Sequence, residues 1–117
     1  MSSRSPQYLV EDMQEALGRI QRYIEGLDVD SFIADEKTSD AVVRNLEIIG
    51  EAANRLPDAF RARHSEIEWR KIIGLRHRIV HDYFGVDLAL VWEIVVTSAP
   101  VLAEQLSRIA NASTDTN

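Results

Sequence analysis

Apolar residues recur every three or four positions through most of this chain, and that spacing is the signature of amphipathic helices. Leu9, Met13, Ala16, Leu17, Ile20, Tyr23, Ile24 and Leu27 form a first stripe, on a helix that ends near Gly26. Ser5-Pro6 resembles an N-cap followed by proline at the first helical position. A second stripe, Val42, Leu46, Ile49, Ala53 and Leu56, sets a helix over 39–56. With 5 glycines and 3 prolines in 117 residues, breaks are few and fall mostly between such stretches. The expectation is an all-α fold: a single domain with one modest core over 1–110, and a flexible polar tail over 111–117.

Between the first two helices, 28–37 reads as an acidic, irregular turn with Phe32 and Ile33 tucked against the core. Gly50 costs the second helix about 1 kcal/mol relative to alanine, so it suggests a close approach by another helix. Pro57 ends that helix and starts a short one through Phe60. A further helix is expected from Trp69 to about Asp82, stopped by Gly85, and Asp87 suits the N-cap of a last helix from Leu88 to about Ile109. That last helix is apolar almost all round through Ala103, with Glu93 near its middle and Pro100 as an expected kink. It reads as too short and too charged to span a membrane. Burial on two sides, against its own bundle and a second copy of the chain, fits better, so a homodimer is expected.

The absence of cysteine excludes disulfides, thiolate catalysis and cysteine metal sites. The first six residues hold no apolar run like that of a signal peptide, so the expected location is the cytoplasm, and Asn111-Ala112-Ser113 is an accidental glycosylation sequon. Net charge is −6, yet from Arg61 to His81 six cations (Arg61, Arg63, Arg70, Lys71, Arg76, Arg78) face only Glu66 and Glu68. A basic segment on an acidic protein suits a defined anionic ligand or a nucleic-acid contact, with Arg70, Lys71 and Arg78 as candidate RNA-binding residues. A solvated helix face pairing with acidic neighbours is an equally open reading.

Arg76 is the residue that fits its helix least. At about 100° per residue it falls on one stripe with Ile72, Ile79, Val80 and Tyr83, where an apolar side chain belongs. A guanidinium cannot lose its charge, so burial there demands carboxylate or phosphate partners. Glu47 and Glu51 are candidates to hold Arg76 or Arg44, with ordinary surface pairing as the alternative.

His77 and His81, four apart, would share a helix face as metal ligands do, but only His64 remains as a third histidine and the signal is weak. Arg76 with His81 suits a different chemistry. Phosphoryl transfer in RNA needs a proton carrier near neutral pH and a fixed cation for the charged phosphorane. Neither a metal nor another cofactor is called for. Residues five apart on a helix point about 140° apart, so both reach one phosphate only if the helix ends between them or two copies face each other. The plainer alternative is His81 as a cation at a helix C-terminus.

Arg76-x4-His81-x-Tyr83 resembles the Arg-x4-6-His signature of HEPN domains, in the form found in the HepT toxin family. The blocks at 40–52 (DAVVRNLEIIGEA), 69–74 (WRKIIG) and 83–87 (YFGVD) are similar to the same family, and the resemblance spans nearly the whole chain. It implies an antiparallel four-helix HEPN bundle with a short extra helix, dimeric, with its active site in the dimer cleft. It further implies a metal-independent endoribonuclease that cuts RNA through the ribose 2′-hydroxyl to leave a cyclic phosphate. His81 would then do acid–base work and Arg76 would bind the scissile phosphate. His77 stands where the family usually has another polar residue, often asparagine; it would position Arg76 or assist proton transfer. HepT toxins are paired with a minimal MNT-type nucleotidyltransferase antitoxin, which resembles an enzyme that attaches AMP to the motif tyrosine, here Tyr83. Added phosphate would put negative charge where RNA must sit. The competing readings are a non-catalytic RNA- or nucleotide-binding module that partners such a nucleotidyltransferase, and a structural dimer in which Arg76 merely pairs with Glu47 or Glu51.

Overall fold

The two long stripes become the two helices at the centre of the molecule. The computed structural model describes residues 5–81 and 85–115. Helix α1 (Pro6–Ile24) packs along α3 (Glu36–Arg55), the most extensive helix pair in the fold. α1 buries Leu9, Met13, Ala16, Leu17 and Ile20, and α3 meets them with Val42, Leu46, Ile49 and Ala53. Each of the leucine, isoleucine, valine and methionine side chains among them contributes about 1.5–3 kcal/mol. Tyr23 departs from its expected stripe and is 40% exposed, because the helix stops one residue later and Gly26, at φ +80°, turns the chain away.

The stretch expected as an irregular turn is instead a helix, α2 (Val29–Ala34). Asp28 and Ser31 close a reciprocal capping box: the Asp28 carboxylate accepts from the Ser31 N–H at 2.8 Å, and the Ser31 hydroxyl accepts from the Asp28 N–H at 2.9 Å. Phe32 is buried against Trp92, ring centroids 5.3 Å apart, whereas Ile33 stays 43% exposed rather than tucking in. Asp35 then caps α3, accepting from the Thr38 hydroxyl at 2.7 Å and its N–H at 3.1 Å, which starts that helix three residues earlier than its apolar stripe indicates. These hydrogen bonds, from the Ser31 backbone first for Asp28 and the Thr38 hydroxyl first for Asp35, hold both carboxyls below the ordinary 3.8.

Pro57 ends α3 and leads into α4 (Asp58–Arg63), whose Phe60 is buried. The Trp69 indole donates to the His64 carbonyl at 3.0 Å, closing the turn into the next helix. The single helix expected from Trp69 to about Asp82 does not form. It is broken into α5 (Trp69–Ile73) and α6 (Leu75–Ile79), with Gly74 between them. Val80 is then extended at ψ 124°, and β1 (Val80–His81) pairs antiparallel with β2 (Gly85–Val86). The Asp87 N–H donates to the Ile79 carbonyl at 2.7 Å, and Gly85 adopts φ +75°, a conformation that disfavours any other residue. β-Branched Ile79 and Val80 favour this exit, which the helical period alone conceals.

The last helix begins as α7 (Leu88–Glu93), capped by the Asp87 carboxylate, which accepts from the Leu90 N–H at 3.1 Å. A π turn over Ile94–Ser98 precedes α8 (Ala99–Asp115). Pro100 has no N–H to give to a carbonyl four residues back, and the Ala99 N–H bonds to Ile94, five back, so the wide turn absorbs the proline. α8 continues to Asp115, past the position where the sequence suggests a polar tail. Nor is the run too short for a membrane: Leu88–Ala112, 25 residues, is long and apolar enough to cross one by length and composition. One stripe of it, Val91, Ile94, Leu102, Leu106 and Ile109, is nevertheless part of the core, while Val96 and Val101 lie outward at 42% and 56% exposure. The class is all-α: α1, α3, the broken α5–α6 and the long α7–α8 occupy four helical positions, joined by the short α2 and α4 and the paired two-residue strands β1 and β2.

Candidate active site

The break at Gly74 changes the register of everything after it. In α6 the inward positions go to Leu75 and Ile79, four apart, and Arg76 lies outside with its side chain 72% exposed. Arg76 is therefore not buried as the helical period predicts, because the helix that would bury it is not continuous. It nonetheless has the partner expected of it: its Nε lies 3.3 Å from a Glu47 carboxylate oxygen on α3. A pair this open contributes about 0.2–1 kcal/mol, too little to add much to the stability of the fold. With Nε facing Glu47, the N–H groups of the two terminal nitrogens remain to bind an anion.

Gly50 makes that encounter possible. A Cβ there would stand 3.1 Å from the Ile72 carbonyl oxygen, so α5 lies against α3 at a distance that favours glycine. The close approach expected from Gly50 is thus present. Between the two elements lies a cleft of about 280 Å³ lined by Arg44, Glu47, Gly50, Glu51, Asn54 and Arg76. Glu51 is exposed along its wall and, among the described residues, makes no ion pair, so Glu47 alone of the two candidates holds Arg76. Arg44 and Asn54 also belong to this cleft, although the sequence does not single them out as site residues. The spacing of 44, 47, 51 and 54 along one helix edge is the available signal.

His81 stands in β1, exposed, its backbone paired with Gly85. Because α6 ends at Ile79, Arg76 and His81 are not held at the helical angle that would keep them apart. His77 remains on α6, exposed, so the two histidines do not share a helix face as expected. Among the described residues no group of three or more histidines and carboxylates could hold a metal ion. Tyr83 lies outside the described residues.

The basic segment does not form one patch. Lys71 pairs with Glu68 at 3.0 Å and, with Arg78, lines a different cleft of about 320 Å³ between α5–α6 and α8. Arg70 is exposed on α5. Arg61 is occupied by Asp58 and the Ala53 carbonyl, and Arg63 lies over the Phe60 ring, 5.7 Å from its centroid. Pairing with neighbours thus accounts for part of the charge run, and Arg76 and Arg78 open onto separate clefts.

The profile of the family described as HepT-like ribonuclease matches residues 13–109. A protein of Caldanaerobacter subterraneus subsp. tengcongensis, provisionally named an RNase, is 39% identical over 102 residues, covering 87% of this chain and 90% of its own. One from Thermococcus cleftensis, provisionally named ribonuclease HepT, is 37% identical over 106 residues, 91% of this chain and 96% of its own. A Methanocaldococcus jannaschii protein, also provisionally named an RNase, is 32% identical over 106 residues, 91% of this chain and 97% of its own. No solved structure gives a significant match. A helical fold of this layout and a family match over nearly the whole domain together carry one conclusion: this chain belongs to the HepT-like family of HEPN-type ribonucleases.

Proposed function

We propose that the protein is a metal-independent endoribonuclease acting as the cytoplasmic toxin of a two-gene toxin–antitoxin module. The observation that carries this reading is the end of α6 at Ile79, between Arg76 and His81, which frees the histidine from the helix while the arginine pairs with Glu47. In the reaction the ribose 2′-oxygen attacks the adjacent phosphorus as its proton passes to a base. The bond to the 5′-oxygen breaks, that oxygen is protonated, and a 2′,3′-cyclic phosphate remains. His81 carries the proton, and the free N–H groups of Arg76 bind the phosphoryl oxygens as charge builds on them.

The site is completed by a second copy of the chain, which brings a second Arg76–His81 pair to the same groove. The outward Val96 and Val101 of the last helix are apolar surface of the sort that dimerisation would cover. His77 assists by orienting Arg76 or by relaying a proton, and Glu51 supports the cleft wall. Arg70, Lys71 and Arg78 contact the RNA strand beyond the cleft. The antitoxin is an MNT-type nucleotidyltransferase that adds AMP to Tyr83, placing phosphate where the substrate would bind.

The test is RNA cleavage by the purified protein in excess EDTA, with transfer and messenger RNA, for wild type, Arg76→Ala and His81→Ala. Cleavage by wild type that is lost in both folded variants is the expected result. No cleavage by unmodified wild type on either substrate would overturn the nuclease reading for those substrates and favour the non-catalytic binding module.

A further inference from the structure

The cleft beside Arg76 contains a second arginine that the proposed reaction leaves unused. Arg44 is exposed on α3, and among the described residues it makes no hydrogen bond or ion pair. This is unexpected on its own helix, where Glu47 is three residues on and Asp40 four residues back, both placed for pairing. Glu47 turns instead to Arg76. Arg44 is thus an uncompensated cation on the wall of the cleft that Arg76 enters from the other side. Along the α3 axis it lies about 4.5 Å, three residues, from Glu47, the residue that fixes the height of Arg76. Two arginines from different helices thus line one cleft, one paired and one unpaired, so a strand that presents a phosphate to Arg76 can present a neighbouring phosphate to Arg44. Glu51 lies one turn beyond Glu47 on the opposite side from Arg44, so the strand would enter at the Arg44 end and avoid that carboxylate.

We infer that Arg44 is a second phosphate-binding residue, contacting the RNA backbone next to the phosphate held by Arg76. This rests on the ribonuclease reading above and deepens it. Arg44 takes no part in proton transfer; it sets where along the strand the scissile phosphate comes to rest.

The probe is a fluorescein-labelled single-stranded RNA whose ribose 2′-oxygens are all methylated, so that it binds without being cut. Anisotropy titrations between about 50 and 200 mM KCl give the slope of log affinity against log salt. Arg44→Gln is expected to weaken binding several-fold at the lower salt and to reduce that slope by about 0.7, the value for one phosphate contact on a single strand. Arg44→Lys, which keeps the charge, is expected to retain the slope. An unchanged slope in Arg44→Gln, with wild type binding normally, would overturn the inference and leave the nuclease reading intact. Failure of wild type to bind the RNA at all would instead remove the reading on which the inference rests. An equal thermal midpoint for Arg44→Gln and wild type excludes unfolding as the cause.

Discussion

The α1–α3 pair and the segment from Trp69 to Val86 are built by different rules. The pair is long, uninterrupted and held by apolar side chains at helical spacing, several of them fully buried. The segment contains two five-residue helices and a pair of two-residue strands, shaped by Gly74, by Gly85 at positive φ and by the close pass of Ile72 over Gly50. One provides the core; the other carries Arg76, His77 and His81 on its surface. Stability and chemistry should therefore separate in the mutants.

The largest separation is expected between His81→Ala and Leu46→Ala. His81→Ala should reduce RNA cleavage by about 10²–10⁴-fold, the usual contribution of a proton-transferring side chain, with no change in thermal midpoint. Leu46, 2% exposed, should show the reverse: its truncation costs about 2–5 kcal/mol of unfolding free energy in urea titration. If His81→Ala unfolded the protein, the hairpin would belong to the core and the contrast between the two regions would collapse.

Gly50 is where the two regions meet, so it should disturb both. Gly50→Val adds a branched side chain against the Ile72 carbonyl, a backbone atom that cannot turn aside, and overpacking of this sort costs about 1–3 kcal/mol. Cleavage measured well below the melting temperature should fall as well, since α5 is displaced and takes Arg76 away from Glu47. A variant with normal activity despite reduced stability would mean that the helix approach does not position the arginine. Asp87 offers a milder contrast. Its carboxylate caps α7 while its N–H ties down Ile79, and Asp87→Ala removes only the cap. The expected cost is about 0.5–2 kcal/mol in thermal unfolding, with cleavage retained at about 25 °C.

What can be read from the sequence follows the same division. The stripes from Leu9 to Ile24 and from Val42 to Leu56 mark the buried faces well, because burial repeated over several turns leaves a pattern that single substitutions do not hide. The Asp87 cap and the role of Gly50 are legible for a related reason: each is a residue whose presence is costly or idle unless a specific contact requires it. Arg76 is misplaced by its spacing because the helical period continues through Gly74 in the sequence and not in the backbone. Its partner can still be narrowed to Glu47 or Glu51, since a cation and a carboxylate on facing helices are constrained by chemistry whichever way the helix turns, and the structure selects Glu47. The split of Lys71 and Arg78 from Arg76 is not legible. It depends on which neighbouring helix each face of α5–α6 meets, and one-dimensional spacing does not contain that.

The Arg76–Glu47 pair yields the smallest and most discriminating effect. Were Arg76 buried, Arg76→Met would distinguish a structural ion pair from a catalytic one by its stability. At 72% exposure for the arginine and 37% for the carboxylate, either reading predicts a change within about 1 kcal/mol, so thermal denaturation cannot separate them. Glu47→Gln separates them through activity. The amide keeps the shape of the carboxylate and can still accept from Nε, but it lacks the charge that draws the guanidinium toward α3. If Glu47 positions Arg76 for phosphate, cleavage in Glu47→Gln should fall by several-fold and less than in Arg76→Ala, with the thermal midpoint unchanged. If the pair is only structural, cleavage should equal wild type in Glu47→Gln and also in Arg76→Met, and the arginine would lose its place in the mechanism.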